Sequence, residues 1–363
     1  MKKYWYWLCS MEKIGNRTKE VLLQKFQTPE GIYFATKKDF MQIKGISEKM
    51  VEYFQNSKNK DWEKEYEEMK QKGISFVMHE EKEYPERLKK IVDKPYGLYY
   101  MGGLPKEEML SVAIIGARDC SRYGFEVAKN LGKLLGEYKV QVVSGMARGI
   151  DGAGQWGALE GGGTSYGILG SGVDVCYPEE NRKLYELLKV KGGIISEFPI
   201  GSEPLSYHFP MRNRIISGLC DVLIVVEAKK KSGTFITVDM ALEQGKEVYA
   251  VPGRITDSLS DGCNELIKMG ANVLTKIEIL LEEIGLKKKN FNHRKKLLLA
   301  EKENLLYSNL DLQPKNIQIL AEETKMELPQ LIEVLLQLQL KGLVKEPIKN
   351  YYCLSGEHII FDS

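Results

Sequence analysis

The chain has 363 residues, 43% of them hydrophobic, and a formal net charge of +2. That length exceeds one ordinary domain and suits two or three, and the apolar content excludes a globally disordered chain. The near-neutral total leaves a nucleic-acid partner open, because a neutral sum can hide a local basic groove.

The opening segment "MKKYWYWLCSMEK" has an apolar run too short for a signal-peptide core, and no segment approaches the roughly 20 apolar residues of a membrane span. Six scattered cysteines (Cys9, Cys120, Cys176, Cys220, Cys263, Cys353) include no C-x-x-C pair, which disfavours a zinc site or a disulfide framework and fits a reducing compartment. These features predict a soluble cytoplasmic protein without membrane contact.

Residues 1–78 read as short helices, with Gly15 and Gly45 between helical patterns and "IKGISEKMVEYF" resembling one helix-hairpin-helix turn. Residues 79–284 alternate short apolar runs ("SVAIIG", "VQVVSG", "TSYGILG", "GGIISEF", "DVLIVVEA", "EVYAVPG", "ANVLT") with helix-length stretches. Strands apolar on both faces, alternating with helices, predict a mainly parallel sheet covered by helices. Residues 285–296 read as a basic linker. Residues 297–363 read as helices followed by two strand-like runs flanking Pro347, the pattern of a winged helix.

An open parallel sheet binds ligands at the carboxyl ends of its strands. The first such turn, "GARDCSRYG", lacks the G-x-G-x-x-G spacing of a dinucleotide site. The next strand ends in Ser144 and Gly145, not in an acid for ribose hydroxyls, and there is no G-x-x-x-x-G-K-[ST] motif. The turn instead offers Gly116, Arg118, Ser121, Tyr123 and Gly124 at a helix start, which suits a phosphate. The bland reading is that Arg118 pairs with a carboxylate and the glycines only close the turn.

Later turns repeat the theme. "SGMARGID" carries Arg148 and Gly149; "SYHFPMRNRIISG" sets Tyr207, His208 and Phe209 beside Arg212, Asn213 and Arg214; and "EAKKKSGTFIT" brings Lys231, Ser232, Gly233 and Thr234 to a helix N-terminus. Lys229 and Lys230 read as solvated. Turns at one sheet edge, each basic and with aromatics between them, suit a polyanion. Stacking of a base on such a ring contributes about 1–3 kcal/mol. The alternatives are a small phosphorylated ligand in one pocket, or arginines held in structural salt bridges.

No residue set demands catalysis. The four histidines make no metal spacing and there is no G-x-S-x-G elbow. Asp151, Asp174 and Glu197 could converge on a divalent ion, or serve nearby arginines structurally. No cofactor is expected.

In the same order along residues 84–275, the motifs "VAIIGARDCSRYG", "VSGMARGID", "GILGSGVDVCYPEEN", "GGIISEFPIG", "HFPMRNRIISGL", "VVEAKKKSGTFIT" and "VYAVPG…GCNELIKMGA" resemble those of the DNA-processing protein A family (DprA, also called Smf). The resemblance implies an α/β fold with an extended Rossmann-like domain, flanked by a sterile-alpha-motif-like or helix-hairpin-helix-like N-terminal domain and a winged helix. It implies sequence-independent binding of single-stranded DNA and loading of RecA recombinase during natural transformation; with no residue set that demands catalysis, no enzymatic activity is expected.

It also implies a homodimer through the late central region, where Leu266, Ile267 and Met269 supply apolar side chains. The family's phosphate-gripping arginine falls on Arg118 and its later basic residue on Lys231. One departure stands out: Gly154-Gln155-Trp156 occupies the place of the family's usual alanine-histidine pair.

"KSGTFITVDMALEQGK" is loosely similar to a stretch of nucleoside-monophosphate phosphoribohydrolases of related fold, although Pro-Gly-Gly is absent and Glu243 is displaced. A structural adaptor joining partners through its end domains is the third alternative.

Overall fold

The computed structural model describes residues 2–286 and 299–355. From residue 287 on, the expected linker lies outside the described residues.

Six helices open the chain, from Lys2–Cys9 to Trp62–Gln71. Local signals set their starts. The Thr28 hydroxyl accepts from Gly31 N–H, Ser47 from Met50 N–H, and Thr36 and Asp39 form a reciprocal capping box. Gly45, at φ 93°, lies between the helices Lys37–Met41 and Glu48–Ser57, where a residue with a Cβ would be strained. The buried side chains of these helices (Trp5, Trp7, Leu22, Phe40, Phe54) form one core with Tyr99, Tyr185 and Ile194 from the sheet region. The N-terminal helices are therefore packed onto the sheet and share its core.

The large sheet contains β1 (Ser75–Met78), β2 (Gly97–Gly102), β3 (Ser111–Ile115), β4 (Gln141–Ser144), β5 (Ser165–Ile168), β6 (Gly192–Ser196), β7 (Val222–Val225), β8 (Glu247–Ala250) and β9 (Asn272–Val273), in the order β1-β2-β6-β5-β4-β3-β7-β8-β9. From β3 onward the pairings are parallel; β2 runs antiparallel to β6, and β1 antiparallel to β2. The sheet thus begins at Ser75, inside the region expected to be wholly helical. Strands β3 to β9 coincide with the seven apolar runs read from the sequence, and β3, β4, β5 and β7 are buried throughout.

Strands β3 to β6 are laid down in one direction. The chain then crosses back through the helix His208–Leu219 and continues from β7 on the other side of β3. The order reverses at β3, so the turns after β3 and β7 diverge and leave a crevice at their carboxyl ends.

Two helices cover one face in close contact. A Cβ on Gly132 would stand 2.0 Å from the Gly154 carbonyl oxygen, and one on Gly157 would stand 1.9 Å from that of Lys129. Only glycine permits the helices Arg122–Glu137 and Ile150–Glu160 to approach this far, which holds the turns after β3 and β4 side by side.

The C-terminal part has helices Glu301–Ser308, Ile317–Thr324 and Leu328–Leu340 and a small antiparallel sheet of β10 (Lys315–Asn316), β11 (Val344–Ile348) and β12 (Tyr351–Leu354), in the order β10-β12-β11. Leu306, Leu320, Leu331, Leu335 and Leu338 fill its separate core. Pro347 lies within β11 and does not separate the two strands. It falls in the irregular stretch between Lys345 and Ile348 on an edge strand, the setting in which a sheet tolerates proline. This part touches the central region through Lys345 and Glu126 at 3.0 Å, and through Arg254 and Gln313.

Candidate polyanion-binding cleft

A cleft of about 700 Å³ opens at the switch point. Its walls are the turn after β3 (Ile115–Asp119), Ala147 and Asp151 after β4, and Lys229, Lys231, Ser232, Gly233 and Thr234 after β7; Phe209, Arg212 and Asn213 of the crossover helix and Tyr177 line it too. The sheet topology thus assembles Gly116, Arg118, Arg212, Asn213, Lys231, Ser232, Gly233 and Thr234 in one place. It adds Lys229, expected from the sequence to be solvated; Lys230 is not a lining residue.

Arg118 is exposed, and among the described residues it forms no ion pair. Its guanidinium carbon lies 5.3 Å from the centre of the Phe209 ring, and that of Arg212 lies 6.0 Å from the same ring. Tyr177 adds a second ring 5.6 Å from Phe209, and it is 43% exposed. Two cations therefore share one aromatic surface, a favourable electrostatic arrangement for each.

Arg212 is buried. It donates to the carbonyl oxygens of Gly145 (2.8 Å) and Ile168 and to the Asn213 side-chain oxygen. Burial pushes its pKa down to about 10; Asp151 opposes that shift and Arg118 adds to it. Asp151, itself raised by burial, accepts from Gly145 N–H at 3.0 Å. Arg212 is thus a structural brace whose edge reaches the cleft, whereas Arg118 and Lys231 extend into it as exposed cations. Across the crevice, the Ser232 hydroxyl oxygen is buried without a hydrogen-bond partner among the described residues, beside the first turn of the helix Thr234–Glu243. The arrangement suits an anion with several phosphates and planar groups.

Several residues expected at the ligand have other partners or lie outside the cleft. The helix start at Ser121 is already occupied by an anion of the protein itself. Glu227, just past β7, is 3% exposed; its carboxylate accepts from Ser121 N–H (2.8 Å) and from the Ser121 hydroxyl (2.5 Å). Gly124 makes room for that carboxylate, since a Cβ there would stand 2.3 Å from the Glu227 carboxyl carbon. Ser121 and Gly124 are therefore committed to Glu227.

Tyr123 lines a different, smaller depression with Val127, Leu131 and Val251. Arg148 lies outside the cleft with Glu180 at 3.8 Å, and Gly149 packs against the first turn, where a Cβ would stand 2.3 Å from the Ala117 carbonyl oxygen. Arg214 points away into a buried pair: it donates to both Glu197 oxygens at 2.5 and 2.6 Å, and to the Asp93 carbonyl. His208 is also buried, stacked on Phe198 at 3.9 Å.

The three carboxylates considered for a metal stand on separate duties: Asp151 beside Arg212, Asp174 accepting from Gly201 N–H, and Glu197 on Arg214. Among the described residues no group of three potential metal ligands occurs. Gln155 is fully buried and donates to the Tyr166 carbonyl oxygen, so the departure at this position does not touch the cleft. Glu243 ends its helix and is not a lining residue.

Of the apolar residues expected at a dimer surface, Leu266 belongs to the core at 3% exposure and Ile267 packs partly against that core. Met269 is 70% exposed. The amphipathic helix Asp261–Lys268 turns Leu266 inward, so among these three only Met269 is largely exposed. Among the described residues no helix is long and apolar enough to cross a membrane.

This combination defines a Rossmann-like α/β protein with a cationic, aromatic-lined cleft at its switch point. Residues 75–285 match the family model described as DNA recombination-mediator protein A, and the chain belongs to that family. It is 43% identical over 202 residues to the DNA processing protein DprA of Streptococcus pneumoniae (55% of this chain, 71% of the relative). To the protein Smf of Escherichia coli K12 it is 33% identical over 313 residues (84% of each).

Among solved structures, it resembles DprA of Streptococcus pneumoniae with a TM-score of 0.68 and 32% identity, over 80% of this chain and 99% of that one. A Helicobacter pylori DNA processing protein A, described for its single-stranded DNA binding mode, matches with a TM-score of 0.53 and 28% identity, over 58% of this chain and 95% of that one.

Proposed function

We propose that the cleft binds single-stranded DNA without sequence preference and that the protein hands the strand to RecA recombinase, in the cytoplasm and during natural transformation, as a homodimer and without catalytic turnover. The observation that carries this reading is Arg118: an exposed guanidinium over the Phe209 ring, with no carboxylate partner among the described residues and with Lys231 on the opposite turn. Guanidinium and ammonium grip successive phosphates while the exposed Tyr177 ring receives an unstacked base, whose face a duplex conceals. The relative described for single-stranded DNA binding supports the same assignment. The C-terminal helices and small sheet are read as a winged helix.

The test is binding to a pyrimidine oligonucleotide and to a duplex of equal length across a range of salt. Tighter single-strand binding with a steep salt dependence is expected; equal or better duplex binding rejects the reading. In a filament assay, the protein should let RecA displace a single-strand-binding protein, and no effect there with DNA binding intact would leave a plain DNA binder. Light scattering at micromolar concentration should give a dimer mass. Release of free base from a nucleoside monophosphate would favour the phosphoribohydrolase alternative.

A further inference from the structure

Glu227 holds the Arg118 turn at both ends. Its backbone carbonyl oxygen accepts from Ala117 N–H at 2.7 Å, and its carboxylate accepts from the N–H and hydroxyl of Ser121. The segment between those two anchors contains Arg118. From below, the Ala117 carbonyl oxygen accepts from Ile150 N–H. The two ends of the turn are thus latched, to the segment just past β7 and to the helix after β4.

The side chain of Glu227 is buried and lies beneath the turn, outside the cleft lining. Lys231 is secured differently. Ala228, which precedes its turn, donates to the Leu259 carbonyl oxygen at 2.8 Å and accepts from Gly262 N–H at 2.7 Å.

We propose that Glu227 is a positioning residue for phosphate recognition: by bonding Ala117 and Ser121 together, it holds the Arg118 guanidinium at the cleft without touching the ligand. Charge-assisted bonds to a buried carboxylate are strong, and a guanidinium that must meet a phosphate in fixed geometry loses affinity when its turn is free to wander. The proposal rests on the single-strand reading for its ligand, but its structural half does not.

The test is a double-mutant cycle on binding to an oligothymidylate, with a companion measurement on the free protein. In the wild type, Arg118→Ala is expected to weaken binding about tenfold, the size of a charged hydrogen bond. In the Glu227→Ala background, Arg118→Ala should weaken it less than about twofold, while Lys231→Ala keeps its full effect; a generally loosened protein would lose both.

Glu227→Gln, which can still accept from Ser121 N–H, should restore the Arg118 effect. A full tenfold Arg118 effect in the Glu227→Ala protein overturns the proposal. If Glu227→Ala does not fold, Glu227→Asp, whose carboxylate is withdrawn by one methylene, carries the same cycle with the same expected and overturning outcomes.

In the free protein, exchange of the Ser121 amide should be slow and should become fast in the Glu227→Ala protein, whereas the Ala117 amide, bonded to the Glu227 backbone carbonyl that the substitution keeps, should stay slow. Fast exchange in the wild type overturns the proposal whatever happens with DNA. Failure of the wild type to bind any oligonucleotide, with this protection intact, rejects the single-strand reading alone.

Discussion

Arg118 and Arg214 are the same residue type at the carboxyl edge of the same sheet, and they perform opposite tasks. At the junction under the N-terminal helices, Arg214 is buried against Glu197, and Asn16 adds a bond to that carboxylate at 3.2 Å. In the cleft, Arg118 is exposed over a ring and forms no ion pair among the described residues. A guanidinium is neutralised wherever the fold supplies a carboxylate and is available to a ligand only where the fold withholds one. Arg212 lies between these extremes, buried on backbone carbonyls with one edge on the cleft.

The largest expected effect breaks the junction. Arg214→Ala leaves the Glu197 carboxylate buried without its cation and should cost about 3–5 kcal/mol of stability, read as a large fall in Tm or in the denaturant midpoint. If the Tm stays near that of the wild type, the junction does not carry the N-terminal helices.

The same pair sets an acid dependence. Burial works against ionisation of Glu197, but the charge and hydrogen bonds of Arg214 outweigh it and hold the pKa below the usual 4.5. A lowered carboxyl pKa adds stability that is present above the unfolded value and is lost as pH falls through the folded one. The wild-type Tm should therefore drop as pH is lowered below about 4.5, and the Glu197→Gln protein, less stable at neutral pH, should show a shallower acid limb.

In the cleft the expected sign is reversed: binding suffers and stability does not. Arg118→Ala and Lys231→Ala should melt within a few degrees of wild type. Each should bind every oligonucleotide sequence more weakly and flatten the plot of log affinity against log salt by about 0.7. An unchanged slope in a well-folded Arg118→Ala protein would place the strand elsewhere.

The smallest expected effect separates neighbours. Lys229→Ala should weaken oligonucleotide binding measurably and Lys230→Ala should not, because only the former lines the cleft. Equal effects would mean that the lysine run acts as a diffuse charge.

The amino-acid sequence alone made the parallel strands legible. Runs such as "SVAIIG" and "DVLIVVEA" are short, continuously apolar and rich in β-branched residues, the pattern of strands buried on both faces of a parallel sheet. It also showed that Arg118 and Lys231 stand at strand ends beside glycine-rich turns, and the family motifs pointed to the same pair.

Tertiary structure decided which cations are free. Nothing in "RNR" separates Arg212 from Arg214. Their fates depend on the helix pitch that turns one toward Gly145 and Ile168 and the other toward Glu197, seventeen residues earlier in the chain. Glu227 was likewise invisible as a latch, because its partner Ser121 lies 106 residues away and meets it only where β3 and β7 become neighbours. The antiparallel β1–β2 pair is not evident in the sequence, because Phe76-Val77-Met78 and Leu98-Tyr99-Tyr100-Met101 are short apolar runs that periodicity alone does not distinguish from buried helix segments. Local patterning specifies elements through burial and backbone conformation, whereas the pairing of charges depends on which distant turns the sheet order brings within hydrogen-bond reach.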